Sequence, residues 1–88
     1  MENHPNQRLK RAILEVVNTQ LRENDPPETR QTLERLLHQG FTEQEALKLI
    51  GYVVAHEVFA VLKEGRPHDA RKYIAALQAL PTLPWQHD

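Results

Sequence analysis

From Glu43 to Glu64 the chain reads EQEALKLIGYVVAHEVFAVLKE, with no proline and a marked boundary at each end. Thr42 and Glu45 have the spacing of a capping box, and Phe41 precedes them, placed to staple onto the first turn through Ala46. Gly65 and Pro67 close the far end, since glycine accepts a left-handed turn and proline cannot continue a helix. The spacing predicts one helix over about 43–64, on the order of 30 Å long. A rod of that length, apolar around most of its circumference, needs cover on several sides. Whatever else the chain does, it must wrap this segment.

The remaining elements are read from periodicity. Leu9, Ile13, Val16, Val17 and Leu21 fall on one helical face, which predicts a first helix over about 7–23 behind a flexible polar lead-in, 1–7. Asp25 is the expected N-cap and Pro26 the expected first residue of a second helix, about 26–39, burying Leu33, Leu36 and Leu37 before Gly40. A fourth helix is expected over about 68–80, with Ala70, Tyr73, Ile74, Leu77 and Leu80 as its buried stripe. Pro81 and Pro84 then predict an extended tail, 81–88. No strand-like alternation or repeat occurs. The expectation is an all-α fold: one domain over 1–88, a four-helix up-and-down bundle around the long third helix.

Glu57 lies in the middle of the greasiest run, YVVAHEVFAVL. At 100° per residue it falls among Ala46, Ile50, Val53, Ala60 and Val61, whereas His56 falls on the polar edge. Glu57 is therefore expected to point inward and to need a donor, because an unpaired buried carboxylate is costly. Gln20 and Lys10 on the first helix and Tyr73 on the fourth are the candidate partners. A structural network is the default reading of such a group, and a ligand-binding or dimer-registering role is the alternative. Gly51 and Ala55 form a small-residue strip suited to close approach of another helix. Trp85 is expected to fold back into a groove between helices; the alternative is a partner-binding tail.

Much chemistry is excluded. The chain has no cysteine, which removes disulfides, thiolate nucleophiles and cysteine zinc sites and fits a reducing cytoplasm. It has no serine, and its three glycines are scattered, so serine-nucleophile schemes and glycine-rich phosphate loops are absent. HEVFA begins like the zinc-protease helix motif, but Ala60 stands where the second histidine is required. His4, His38, His56, His68 and His87 offer no pair at metal-ligating spacing. No enzyme, metal or cofactor is expected. A formal net charge of -1 gives little drive toward phosphates, and the cluster Arg8, Lys10 and Arg11 reads first as a solvated face and second as a nucleic-acid contact. No secretory signal or membrane span is read. The expected partner is a second copy or another protein, in a cytoplasmic setting.

The stretch QLRENDPPETRQTLERLLHQGFTEQEALKLIGYVVAHEVF, followed by LKEGRP, resembles an uncharacterised bacterial family of small helical proteins, over about residues 9–80. Gln20-Leu21, Pro26-Pro27, Leu33, Gly40, Glu45-Ala46, Ile50-Gly51 and Gly65-Arg66-Pro67 carry the resemblance. It implies an all-helical fold and no assigned activity. That family's pattern often places histidines at three positions, which match Lys10, Leu14 and Lys48 here. The resemblance thus implies that any metal site held by those histidines is lost in this chain. The sequence favours a non-catalytic interaction or regulatory module, with a metal- or small-ligand-binding protein using Glu57, Gln20 and His56 as the alternative and a nucleic-acid accessory protein as the third reading.

Overall fold

The computed structural model describes residues 5–86, with side chains from Gln7 onward. Four helices follow in chain order: α1 (Pro5–Glu23), α2 (Pro27–His38), α3 (Glu43–Glu64) and α4 (Ala70–Ala79). The fold is an all-α bundle, and the described residues include no strand. Both α3 and α2 pack against each of the other three helices, so the centre is shared between them rather than held by α3 alone.

Each boundary has a local cause. Helix α3 begins and ends where the sequence predicts: Glu45 N–H donates to Thr42 Oγ1 at 3.1 Å, Thr42 N–H donates to Glu45 Oε1 at 2.9 Å, and Gly65 closes the helix at φ 62°. Helix α2 starts one residue later than expected, with Pro26 rather than Asp25 as N-cap. A residue before proline is driven out of the helical region, so Pro26 stays extended ahead of Pro27. Asp25 N–H is meanwhile spent on Gln20 carbonyl at 3.0 Å, closing α1 around Asn24 at φ 53°. Gly40 ends α2 in the same way at φ 104°, and Phe41 N–H donates to Leu36 carbonyl at 3.1 Å. Helix α4 is shorter than expected because Asp69 caps it, accepting from Arg71 and Lys72 N–H, which leaves His68 in the connecting turn. Leu80, ahead of Pro81, leaves the helix extended.

The ends of the chain also differ from expectation. The lead-in is shorter, since α1 already includes residues 5–7; residues 1–4, with His4, lie outside the described residues. The tail is not extended: Gln86 N–H donates to Leu83 carbonyl and Leu83 N–H to Gln86 Oε1, both at 2.9 Å, folding it into a turn. His87 and Asp88 lie outside the described residues.

Val17, Leu36, Ile50, Val53, Leu77 and Leu80 are fully or nearly fully buried, and Ile13, Leu21 and Phe41 pack onto them. Thr29 and Thr32 are buried beside Leu33 and Leu36, while Leu37, expected inside, is exposed. On α1 three of the five residues of the expected stripe, Ile13, Val17 and Leu21, reach the core, while Leu9 and Val16 are exposed. Gly51 is where α1 crosses α3, and a Cβ placed there would meet Ile13 Cγ2 at 3.4 Å. That spacing is ordinary van der Waals contact. Replacing Gly51 by alanine is therefore expected to raise stability by up to about 1 kcal/mol, the helix-propensity difference, as read by urea unfolding. A loss above about 1 kcal/mol would mean that the crossing needs the bare backbone.

Candidate functional site

Glu57 is 8% exposed, inward as the wheel predicts, but its donors are not those expected. Its Oε2 accepts from His68 Nδ1 at 3.0 Å, from Asp69 N–H at 3.1 Å and from Arg66 Nη1 at 3.4 Å. Oε1 receives Arg66 Nη2 at 3.5 Å. An ionised carboxylate only accepts, so Nδ1 of His68 carries the proton. Arg66 is held in turn by Glu64, through Nε at 2.6 Å, and by the Pro67 carbonyl at 3.1 Å. Burial pushes the Glu57 carboxyl upward, but the Asp69 amide, Arg66 and His68 outweigh it and hold the group below its ordinary value of 4.5. Glu57 thus fastens the turn between α3 and α4 to the wall of α3.

Gln20 and Tyr73 form a separate cluster nearby. Gln20 Oε1 accepts from Thr29 Oγ1 and from Tyr73 hydroxyl, each at 2.8 Å, joining α1, α2 and α4. Burial raises the Tyr73 phenol above its ordinary value of 10, against the opposing Gln20 bond, so it stays neutral and donates. Removing this hydroxyl in Tyr73→Phe is expected to cost about 1 kcal/mol in urea unfolding, since Gln20 keeps its Thr29 partner. No loss would show that solvent replaces the bond without penalty. Lys10 is exposed on α1 and makes no bond to Glu57, because its position on the helix carries it away from the α1–α3 contact. His56 is likewise exposed and separate from Glu57.

A shallow groove of about 320 Å³ runs past both clusters. Val16, Val54, Val58 and Leu62 supply its apolar wall, and Glu57 and His68 stand at its edge. Val58 (45% exposed) and Leu62 (72%) stand open to solvent on that wall, and Phe59 (58%) continues the greasy surface of α3 beyond it. Trp85 does fold back, but onto the outer face of α3 rather than into a groove. Its ring lies 6.1 Å from Tyr52 and 6.1 Å from His56, and it remains 56% exposed. Arg8, Lys10 and Arg11 are exposed on α1.

Sequence reasoning missed Arg66, His68 and Thr29 as partners. The usable signal was weak: two donors placed in the turn that must double back past Glu57. Among the described residues no three His, Asp or Glu side chains converge to hold a metal ion, and no helix is long and apolar enough to cross a membrane. Compared with known proteins, the chain matches no family model, no curated protein and no solved structure.

Proposed function

We propose that this chain is a small non-catalytic interaction module, working in the cytoplasm, whose contact face is the outer side of the second half of α3 with the adjoining face of α1. One observation carries the reading: Val58, Phe59 and Leu62 stand exposed on successive turns of α3, with Val16 of α1 lining the same groove as Val58 and Leu62. Single exposed apolar residues are commonplace, but a contiguous patch of roughly a few hundred Å² on a small chain usually serves a contact. The polar clusters support it from behind, because Glu57 and Gln20 spend their acceptors on fixing helices and turns.

The test is the double variant Phe59→Lys/Leu62→Lys at high dilution. Lysine suits the last turns of a helix, so the fold should be indifferent to it. A melting temperature within about 4 °C of the parent is expected, as for ordinary surface changes. A fall of roughly 10 °C would mean that these side chains hold the bundle together and would end the reading.

The groove favours one alternative, a small apolar ligand seated against Val54, Val58 and Leu62 with its polar end toward Glu57 and His68. That reading predicts that Val58→Trp, at an exposed position on the groove wall, abolishes ligand-induced thermal shifts in a screen of short-chain acids and amines. A screen without any shift in the parent would remove it.

A further inference from the structure

We infer that the C-terminal turn is a charge-sensitive latch on α3: Trp85 is held against Tyr52 and His56 more firmly when His56 is protonated and is released more readily when it is neutral. The root of this segment is pinned. Arg35 Nη1 donates to Leu80 carbonyl at 2.7 Å, Thr82 N–H donates to Ala79 carbonyl at 3.0 Å, and Leu83 packs onto the core. Its tip is pre-formed, since Leu83 and Gln86 exchange two bonds of 2.9 Å. Between tip and helix no hydrogen bond is made among the described residues, and Pro81 and Pro84 have no N–H to give. Ring contact is what fastens Trp85 to α3. Tyr52 meets it edge-on at 6.1 Å, with 65° between the planes, and His56 lies tilted at 6.1 Å and 43°. The indole keeps 56% of its exposure. An aromatic pair of this kind is worth roughly 2- to 12-fold in an equilibrium, so one added charge is enough to matter.

His56 is the member of the contact that changes charge near neutral pH. An imidazolium is drawn to an indole ring at separations up to about 6 Å, whereas the neutral imidazole keeps only the ordinary aromatic contact. Histidine makes that change between roughly pH 5 and 8. At an exposed site the attraction favours the latched form by about 2- to 5-fold. His56 makes no hydrogen bond or ion pair among the described residues, and the described tail, PTLPWQ, carries no charge. The other helices meet α3 on its buried side, through Ala46, Ile50, Val53 and Val54, and Glu57 points that way toward Arg66 and His68. What faces the His56 ring is therefore Trp85 and, one turn back, the Tyr52 phenol. The charges on that side of α3, Glu45 and Lys48 before it and Lys63 and Glu64 after it, stand about two to three turns away. Release uncovers Tyr52, which lies two turns before Phe59 on the same face of α3, and so lengthens the exposed apolar surface. That consequence rests on the contact face proposed above; the latch itself does not.

Urea unfolding of the parent, Trp85→Ala, His56→Gln and the double variant gives the coupling between the two rings, and both side chains are exposed, so the variants keep the fold. As a ratio of folding equilibria, the coupling is expected to be about 2- to 5-fold larger at roughly pH 5.5 than at roughly pH 8, because it is present while the imidazole is charged and fades as the proton leaves. Trp85 is the chain's one tryptophan, so indole emission reports this segment alone. That emission should change over the same pH range in the parent and in His87→Gln, and stay flat in His56→Gln. An equal coupling at both pH values would overturn the dependence on charge, and no coupling at either would remove the latch. An emission step that survives in His56→Gln, or vanishes in His87→Gln, would assign the titration to another group and end the inference. Neither measurement touches Phe59 or Leu62, so the contact face is tested separately by its own double variant.

Discussion

Replacing Arg35 with alanine is expected to destabilise the fold by about 2–3 kcal/mol, enough to lower the melting temperature by roughly 10–20 °C. Arg35 lies on α2, yet what it holds is the far end of α4. Its Nη1 donates to Leu80 carbonyl at 2.7 Å, and its Nη2 donates to Leu77 carbonyl at 3.1 Å and Gln78 carbonyl at 3.4 Å. The last carbonyls of a helix have no partner within it, and a cation there also meets the negative end of the helix dipole. The last turn of α4 contains no basic residue of its own. The Leu77 carbonyl also accepts from Leu80 N–H at 3.2 Å, whereas Leu80 itself, at 1% exposed, is too deep for water to reach easily. Alanine is a better helix former than arginine, so α2 itself gains slightly and the loss belongs to the cap. Arg35→Lys should recover only part, since one ammonium lacks the planar fork that spans these carbonyls. Urea unfolding with an unchanged slope measures it. A loss under about 0.5 kcal/mol would mean that the three bonds contribute little beyond what solvent supplies.

Arg35 also marks where sequence reasoning stops. Helix α3 was legible to the residue because its signals are local: a capping box three residues long and a glycine that tolerates a positive φ. The inward direction of Glu57 was legible too, because the turn of a helix is fixed at 100° per residue. Its partners were not. Arg66, His68 and the Asp69 amide arrive only once the chain has doubled back after Gly65, and no spacing rule encodes that return. Gln20 and Tyr73, read as partners of Glu57, are brought together with each other instead, with Thr29 between their helices. The stripe of α1 failed for a different reason. An apolar face buried in the core and one left exposed have the same periodicity, so Leu9 and Val16 look like Ile13 and Val17 until the neighbours are placed. Leu37 was misread in the same way, and the buried Thr29 and Thr32 show the converse, short polar side chains drawn in, Thr29 with its hydroxyl bonded to Gln20. Trp85 was legible as a residue that would fold back, but the surface it covers is set by the turn at Leu83–Gln86.

Removing the carboxylate of Glu57 gives the second large effect and answers why a charge occupies so greasy a run. Glu57→Ala should cost about 2 kcal/mol, because the Asp69 amide and the His68 ring lose their acceptor and Arg66 loses one of its two carboxylates. Glu57→Gln keeps the shape and one acceptor for Asp69 N–H, and should cost about half as much. The pH dependence separates charge from packing. The folded carboxyl is held below its ordinary 4.5, so its contribution is complete above that value and is lost as pH falls through the lower folded value. Parent and Glu57→Gln should therefore differ in unfolding free energy at neutral pH, and their curves should converge as the solution is acidified below about 4.5. A ligand or a partner as the main employer of Glu57 predicts the reverse: a free carboxylate, little stability lost on substitution, and parallel pH curves. Because Glu57 ties the His68 ring and the Asp69 amide to α3, hydrogen exchange should quicken first in the turn from Gly65 to Asp69 and in the opening of α4, while α3 keeps its protection. Uniform loss of protection across all four helices would mean that Glu57 supports the core as a whole rather than the turn it faces.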